Sequence, residues 1–305
     1  MALGTDHVTK ADSQVFIPEL WSDDVIAAYK SNLVVGNLVS KINHKGKKGD
    51  TIHVPKPQRG EASEKVAQTQ VTLQAGDNKE LLVYIDKHFE YSRLIEDIVD
   101  IQALGSLRKF YTDDAGYALA KRVDTDLHAL GADLQGGTAY SAAVVGGDGT
   151  TPWDDTGGGN GTALTDVGIR EMMQKLDDED VPGERVFVIP PVEKKNLLGI
   201  DRFVLWSNVG EASNSNTLRN GLVGDIYGSK VYVSTNCPTI EGDDETPYRV
   251  GMYFNKDALV FAEQLSVRSQ TQYKQEYLSN LYTADTIYGT GVLRPEAGIA
   301  FVVPA

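Results

Sequence analysis

One cysteine, Cys237, stands in a chain of 305 residues. That excludes an intrachain disulfide framework and a cysteine-based zinc site, and leaves a small buried side chain as its expected role. No apolar run approaches the ~18 residues that a membrane span needs. The opening, "MALGTDHVTKADSQ", has neither a basic nor an apolar stretch, so no secretory signal is expected. Positive charge is scarce: 29 Lys and Arg stand against 43 Asp and Glu, a net charge of −14. Such a surface repels nucleic acid and anionic membrane, which excludes a generic phosphate binder. The five histidines, His7, His44, His53, His88 and His128, include no pair at ligand spacing on one helix face. His128, beside an apolar stripe, is expected to be a packed histidine.

Motifs of catalysis are missing too. "GTGVLRPEAG" from Gly289 has two glycines of a dinucleotide fingerprint and lacks the third. "GKKGD" at 46–50 lacks the phosphate-loop spacing and has Asp50 where a hydroxyl is needed. "GGDGTTPWDD" from Gly146 lacks the alternating oxygen ligands and closing glutamate of a calcium loop, and reads as a solvated glycine loop. No serine sits in Gly-x-Ser-x-Gly. The acidic run Asp177–Asp180 reads as a charged helix end. No catalytic residue, cofactor site or metal ligand is assigned.

What is present is a folded, soluble composition, 41% hydrophobic and 24% charged, long enough for one large or two ordinary domains. Charge is uneven. Between Lys41 and Lys65 the chain is mostly basic, while acid gathers at 177–180 and 241–245. That basic stretch is either a solvated loop with incidental lysines or an arm that seeks an acidic partner, such as another copy of the same chain. It is flanked by "TIHVP" at 51–55 and "LLVYIDKHFEYS" at 81–92, which alternate as strands do. Before it, "FIPELWSDDVIAAYKSNLVV" reads as a short amphipathic helix.

The strongest periodicity lies in 100–134, "DIQALGSLRKFYTDDAGYALAKRVDTDLHALGADL". Ile101, Leu104, Leu107, Phe110, Leu119, Val123 and Leu127 are assigned to the buried stripe of one long helix. At 1.5 Å per residue that helix would span ~50 Å. An α+β run follows: a helical face at Ile169, Met172 and Leu176, the turn Pro182-Gly183, the strand "RVFVI" and a helix opening at Pro191. Strands fill the remainder, with "RVGMYF", "LSVRSQTQYKQ" and the closing "GIAFVV".

In this order, "FIPELWSDDVIAAYKSNLVVGNLVSKINHKGKKGDTIHVPKP", "YSRLIEDIVDIQALGSLRKFYTDDAGYALAKRVDTDLHAL" and "YTADTIYGTGVLRPEAG" resemble stretches of major capsid proteins of tailed bacteriophages, especially short-tailed phages, which have the Hong Kong 97 fold. The likeness spans nearly the whole chain and is weakest at 135–165 and 207–220. It implies an α+β subunit divided into an N-terminal arm with a short helix (1–45), an extended β-hairpin or E-loop (46–90), a P-domain spine helix (91–144), an A domain (145–248) and P-domain strands (249–305). It further implies self-assembly into pentamers and hexamers of an icosahedral head. Scaffold, portal and cement proteins would be partners. The head would enclose double-stranded DNA without specific binding, with assembly in the host bacterial cytoplasm and no membrane contact. Because the hairpin has few large apolar residues, it is expected to lie across a neighbouring subunit. Lys45, Lys47, Lys48, Lys56, Arg59 and Lys65 would then make the intersubunit contact. The alternatives are a metal-dependent α+β enzyme, or an adhesin or decoration protein of a virion.

Overall fold

The computed structural model describes Tyr29 and residues 33–305, apart from Lys47, much of 57–78, 98–106 and 201–224, and, for side chains, 107–109. The arm helix expected before residue 33 lies outside the described residues.

Two sheets carry the chain. The first has the order β1-β11-β12-β4, built from β1 (Ser40–Asn43), β11 (Leu259–Lys274), β12 (Ser279–Val292) and β4 (Lys87–Glu96). Strands β11 and β12 form an antiparallel hairpin of 16 and 14 residues. At ~3.3 Å per residue it reaches about 50 Å. Its two faces differ by the period-2 rule. Phe261 and Tyr288 point to one side, where helix α1 (Leu107–Ala129) packs; Val260, Ala262 and Ile287 point to the other.

The second sheet runs β5-β13-β10-β6-β8-β7, from β5 (Val144–Val145), β13 (Gly298–Pro304), β10 (Pro247–Asn255), β6 (Arg185–Ile189), β8 (Ser229–Val233) and β7 (Asp225–Ile226); β9 (Thr239–Glu241) pairs with the start of β10. Its central strands are buried on both faces, which explains why "GIAFVV" and "RVFVI" read as unbroken apolar runs rather than alternating ones. Helix α2 (Asp166–Asp178) presents Ile169, Met172 and Leu176 to this sheet. Thr165 caps it, accepting the Gly168 N–H at 3.1 Å. Helix α3 (Pro191–Leu197) opens on proline. Under the helices Phe187 stacks on Tyr253 at 3.9 Å between centroids, and Phe301 meets Phe187 edge-on.

Three expectations change. First, the sheets do not separate at residue 248. Strands β10 and β13, grouped by the resemblance with the terminal strands, are the centre of the sheet that also holds β6 and β8. The buried strands pair with each other regardless of their separation in the chain.

Second, the long helix ends earlier than expected. It ends at Ala129 and passes into a 3-10 segment, Leu130–Gly136, broken by extended Leu134 (ψ 154°) and left-handed Gln135 (φ 56°). Leu119, Val123 and Leu127 are buried, but Phe110 is 64% exposed and belongs to no core. The reason is angular. Steps of four keep to one stripe, whereas the steps of three through 101, 104, 107 and 110 drift by about 60° each at ~100° per residue. Phe110 thus lies about half a turn from Leu119. Ile101 and Leu104 fall outside the described residues, and Leu107 is described only as the first helical residue.

Third, the glycine loop from Gly146 is packed at its start, where Gly146 and Gly149 are buried, and solvated from Thr150 onward as expected, apart from Trp153. A Cβ on Gly168, in the first turn of α2, would lie 2.1 Å from the Gly146 carbonyl oxygen. Asp148 closes the loop by accepting the N–H groups of Thr150 and Thr151.

Candidate assembly surface

The hairpin consists of β2 (Thr51–Lys56) and β3 (Lys79–Tyr84), paired over six residues from Thr51↔Tyr84 to Lys56↔Lys79. Its root does not reach outward. Ile52, Val54, Leu81, Val83 and Ile85 pack on Val260, Ala262 and Ile287, the face of the first sheet opposite α1. The sheet is therefore sandwiched between its helix and the hairpin root. This overturns the idea that the whole hairpin lies on a neighbour: the alternating apolar residues at both strand ends cover the chain's own sheet.

Gly289 makes the crossing possible. A Cβ there would sit 2.2 Å from the Tyr84 carbonyl oxygen, so β12 passes directly beneath the backbone of β3. Gly289 and Gly291, the two glycines of the incomplete dinucleotide fingerprint, are the floor under the hairpin. An isolated glycine in a strand pattern signals such a close approach, and that signal is present in the sequence.

Beyond the root the surface changes. Val71 and Leu73 are 58% and 87% exposed, Lys65 is exposed, and so is Lys48, which precedes β2. Lys45 pairs with Glu263 at 3.0 Å and Lys56 with Glu296 at 3.6 Å, both within the same chain. The two lysines at the root are thus held by the subunit's own carboxylates. Lys47 and Arg59 lie outside the described residues. Sequence reading misses Glu263 and Glu296, because both stand far along the chain from the lysines they meet.

The body is joined by polar contacts centred on the last turns of α1, where Asp124, Asp126 and His128 are all buried. Asp126 accepts from the Tyr288 hydroxyl at 2.8 Å and pairs with Lys87 at 3.2 Å and Arg122 at 3.1 Å, tying α1 to β12 and β4. Arg122 also lies over the Phe89 ring at 4.6 Å. On the opposite face of the sheet, Arg268 binds Asp285 through two nitrogens at 2.8 and 3.0 Å, with His88 at 3.1 Å. Burial alone would raise the Asp285 carboxyl; the Arg268 and His88 contacts pull it below its ordinary range. Cys237 is buried, which pushes its thiol up to about 12 and leaves it inert.

His128 faces Ser234, with Nε2 3.3 Å from Oγ, while Nδ1 is buried without a partner among the described residues. Burial pushes its pKa from 6.5 down to about 4. The neutral ring is the folded form, so its stability contribution is full above pH 6.5 and is lost as pH falls toward 4, about 3 kcal/mol in all. We expect His128→Leu to flatten the dependence of melting temperature on pH between 4 and 6.5. Parallel curves for the two proteins would contradict this.

Among the described residues no group of three or more His, Cys, Asp or Glu could hold a metal ion, and no helix is long and apolar enough to cross a membrane.

The family described as phage capsid protein matches residues 89–300. No curated protein matches the chain at a significant level. Among solved structures it is similar to one from Mycobacterium phage Che8, at 21% identity and TM-score 0.68, over 88% of this chain and 90% of that one. It is similar to the capsid structure of the cyanophage P-SCSP1u at 19% identity and TM-score 0.66, over 89% and 88%. A virus-like particle from Pyrococcus furiosus shares the fold at 11% identity and TM-score 0.56, over 93% and 99%. With the family matched over most of its length and this α+β architecture beneath it, the chain belongs to the phage capsid protein family, as a major capsid protein of the Hong Kong 97 fold, a structural subunit and not an enzyme, whose copies form the shell of the virion.

Proposed function

We propose that residues 46–90 act as the E-loop, with the root held on the subunit's own sheet and the distal part, about 57–78, clasped by the next copy. One observation carries this reading: Ile52, Val54, Leu81, Val83 and Ile85 of the root are covered by the same chain, whereas Leu82 and Tyr84 on the other face of β3, and Val71 and Leu73 beyond it, are exposed. Val71 and Leu73 have no apolar cover among the described residues, so this part of the chain gains by lying on another surface. Lys48 and Lys65, exposed in the subunit, are the described basic residues that supply attraction toward an acidic neighbour. Lys47 and Arg59 belong to the same proposal by sequence. Lys45 and Lys56 act at the root through Glu263 and Glu296.

Head-to-tail contacts of this kind close into rings, and rings of five and six close into an icosahedral shell. In this reading 91–144 supplies the spine, 145–248 together with the central strands β10 and β13 supplies the A domain, and the β11–β12 hairpin supplies the P domain. The net charge of −14 suits a container whose wall does not grip packaged DNA, since each phosphate contact would make release salt-dependent. Assembly in the host cytoplasm with scaffold, portal and cement proteins completes the proposal. Electron microscopy and light scattering of the purified chain test it: closed or curved multi-megadalton assemblies are expected, and a small oligomer at every concentration would contradict it.

A further inference from the structure

We infer that Asp124 of α1 is an anchor for the N-terminal arm, a built-in strap that fixes how the chain enters the body at residues 33–39. The Asp124 side chain is fully buried, and no Lys or Arg pairs with it among the described residues. Its two oxygens accept backbone N–H groups instead: Oδ2 from Val34 at 2.8 Å and Oδ1 from Gly36 at 3.0 Å. Around this contact Leu33, Val35 and Val39 pack into the core formed by Val123 and Leu127. Space is tight on the strap side as well. A Cβ on Gly36 would lie 2.9 Å from Leu33 Cδ2 and 3.6 Å from Asp124 Oδ1. Residue 39 then leads directly into β1, which lies parallel to β11 at the edge of the first sheet.

The charge on this carboxylate carries a cost. Burial raises its pKa above the ordinary range, although the Val34 and Gly36 N–H groups draw it back. The folded state therefore favours the protonated form more than the unfolded chain does, and at neutral pH the anion costs stability. A neutral side chain would avoid the buried charge, but an apolar one would leave the Val34 and Gly36 N–H groups buried without an acceptor. What the carboxylate supplies is two acceptors that hold two nearby backbone amides in one place. Every copy in a shell then receives its arm from the same direction. These contacts lie within one subunit and do not depend on the proposed docking of the hairpin.

The test compares Asp124→Asn and Gly36→Ala with the parent chain by hydrogen exchange and thermal melting of unassembled protein. The asparagine offers one acceptor and turns an NH2 group toward the second backbone donor. Amide exchange across 33–39 is expected to rise about tenfold or more in each variant, with exchange in β10 and β13 unchanged. The melting temperature of Asp124→Asn is expected to fall, because one buried backbone N–H loses its acceptor. Unchanged exchange at 33–39 in both variants would overturn the inference.

Discussion

Removal of residues 58–72 yields a folded subunit that does not form shells. The deletion takes away Arg59, Lys65 and Val71 but leaves β2, β3 and the root contacts of Val83 and Ile85 with Val260 and Ala262. Nothing in either main sheet loses a pairing partner, so the melting temperature should move by no more than about 2 °C. Shell yield should fall by about 100-fold or more, the factor that ~3 kcal/mol lost from each intersubunit contact would produce. Electron microscopy of the variant and the parent at equal concentration reads the effect directly. A deletion variant that melts far lower would mean that the distal hairpin supports its own subunit.

The second large effect is expected at the floor of the hairpin. Replacing Gly289 with valine puts carbon against the Tyr84 carbonyl oxygen, 2.2 Å from the new Cβ. Both sides of the clash are backbone, so no side chain can swing aside; either the hairpin root lifts or β12 bends. Overpacking of this kind costs about 1–3 kcal/mol. Because β2 and β3 are anchored by this face, the loss should appear as faster amide exchange across 79–85 and as lower shell yield. Gly291, two residues on, provides the contrast. Its nearest neighbours, Val260 and Val83 side-chain carbons, would be 3.6 Å from an added Cβ, an ordinary contact. Gly291→Ala should therefore be within about 0.5 kcal/mol of the parent, while Gly289→Ala is already destabilised. Equal behaviour of the two alanine variants would remove the crossing from the account.

Much of this arrangement is legible in the sequence where the signal is local. Leu119, Val123 and Leu127 recur every four residues and are buried together. "RVFVI" and "GIAFVV" are apolar without interruption because their strands are covered on both faces. The failures have causes of longer range. Phe110 fits the stripe on paper because three-residue steps look helical over one turn, yet they drift around the axis over three. The ends of the hairpin alternate as strands should, but alternation gives a face and not the surface that face covers. Val83 meets Val260 only because the chain returns to it much later. The same holds for Lys45 with Glu263 and for Asp124 with Val34. A division of the chain at 248 does not hold for the sheets, because β10 and β13 pair with strands from the middle of the sequence. The resemblance supplies the overall order of elements, which local periodicity alone does not determine.

In the proposed shell the distal hairpin of one subunit is held by another, and every other feature of assembly depends on that grip. A photoreactive amino acid placed at Lys65, irradiated in assembled shells, measures it most directly. Covalently linked pairs of subunits are expected, with the crosslink mapping to the neighbour's acidic surface, and none in the unassembled chain. Crosslinks confined to the same subunit, in shells as in solution, would contradict it.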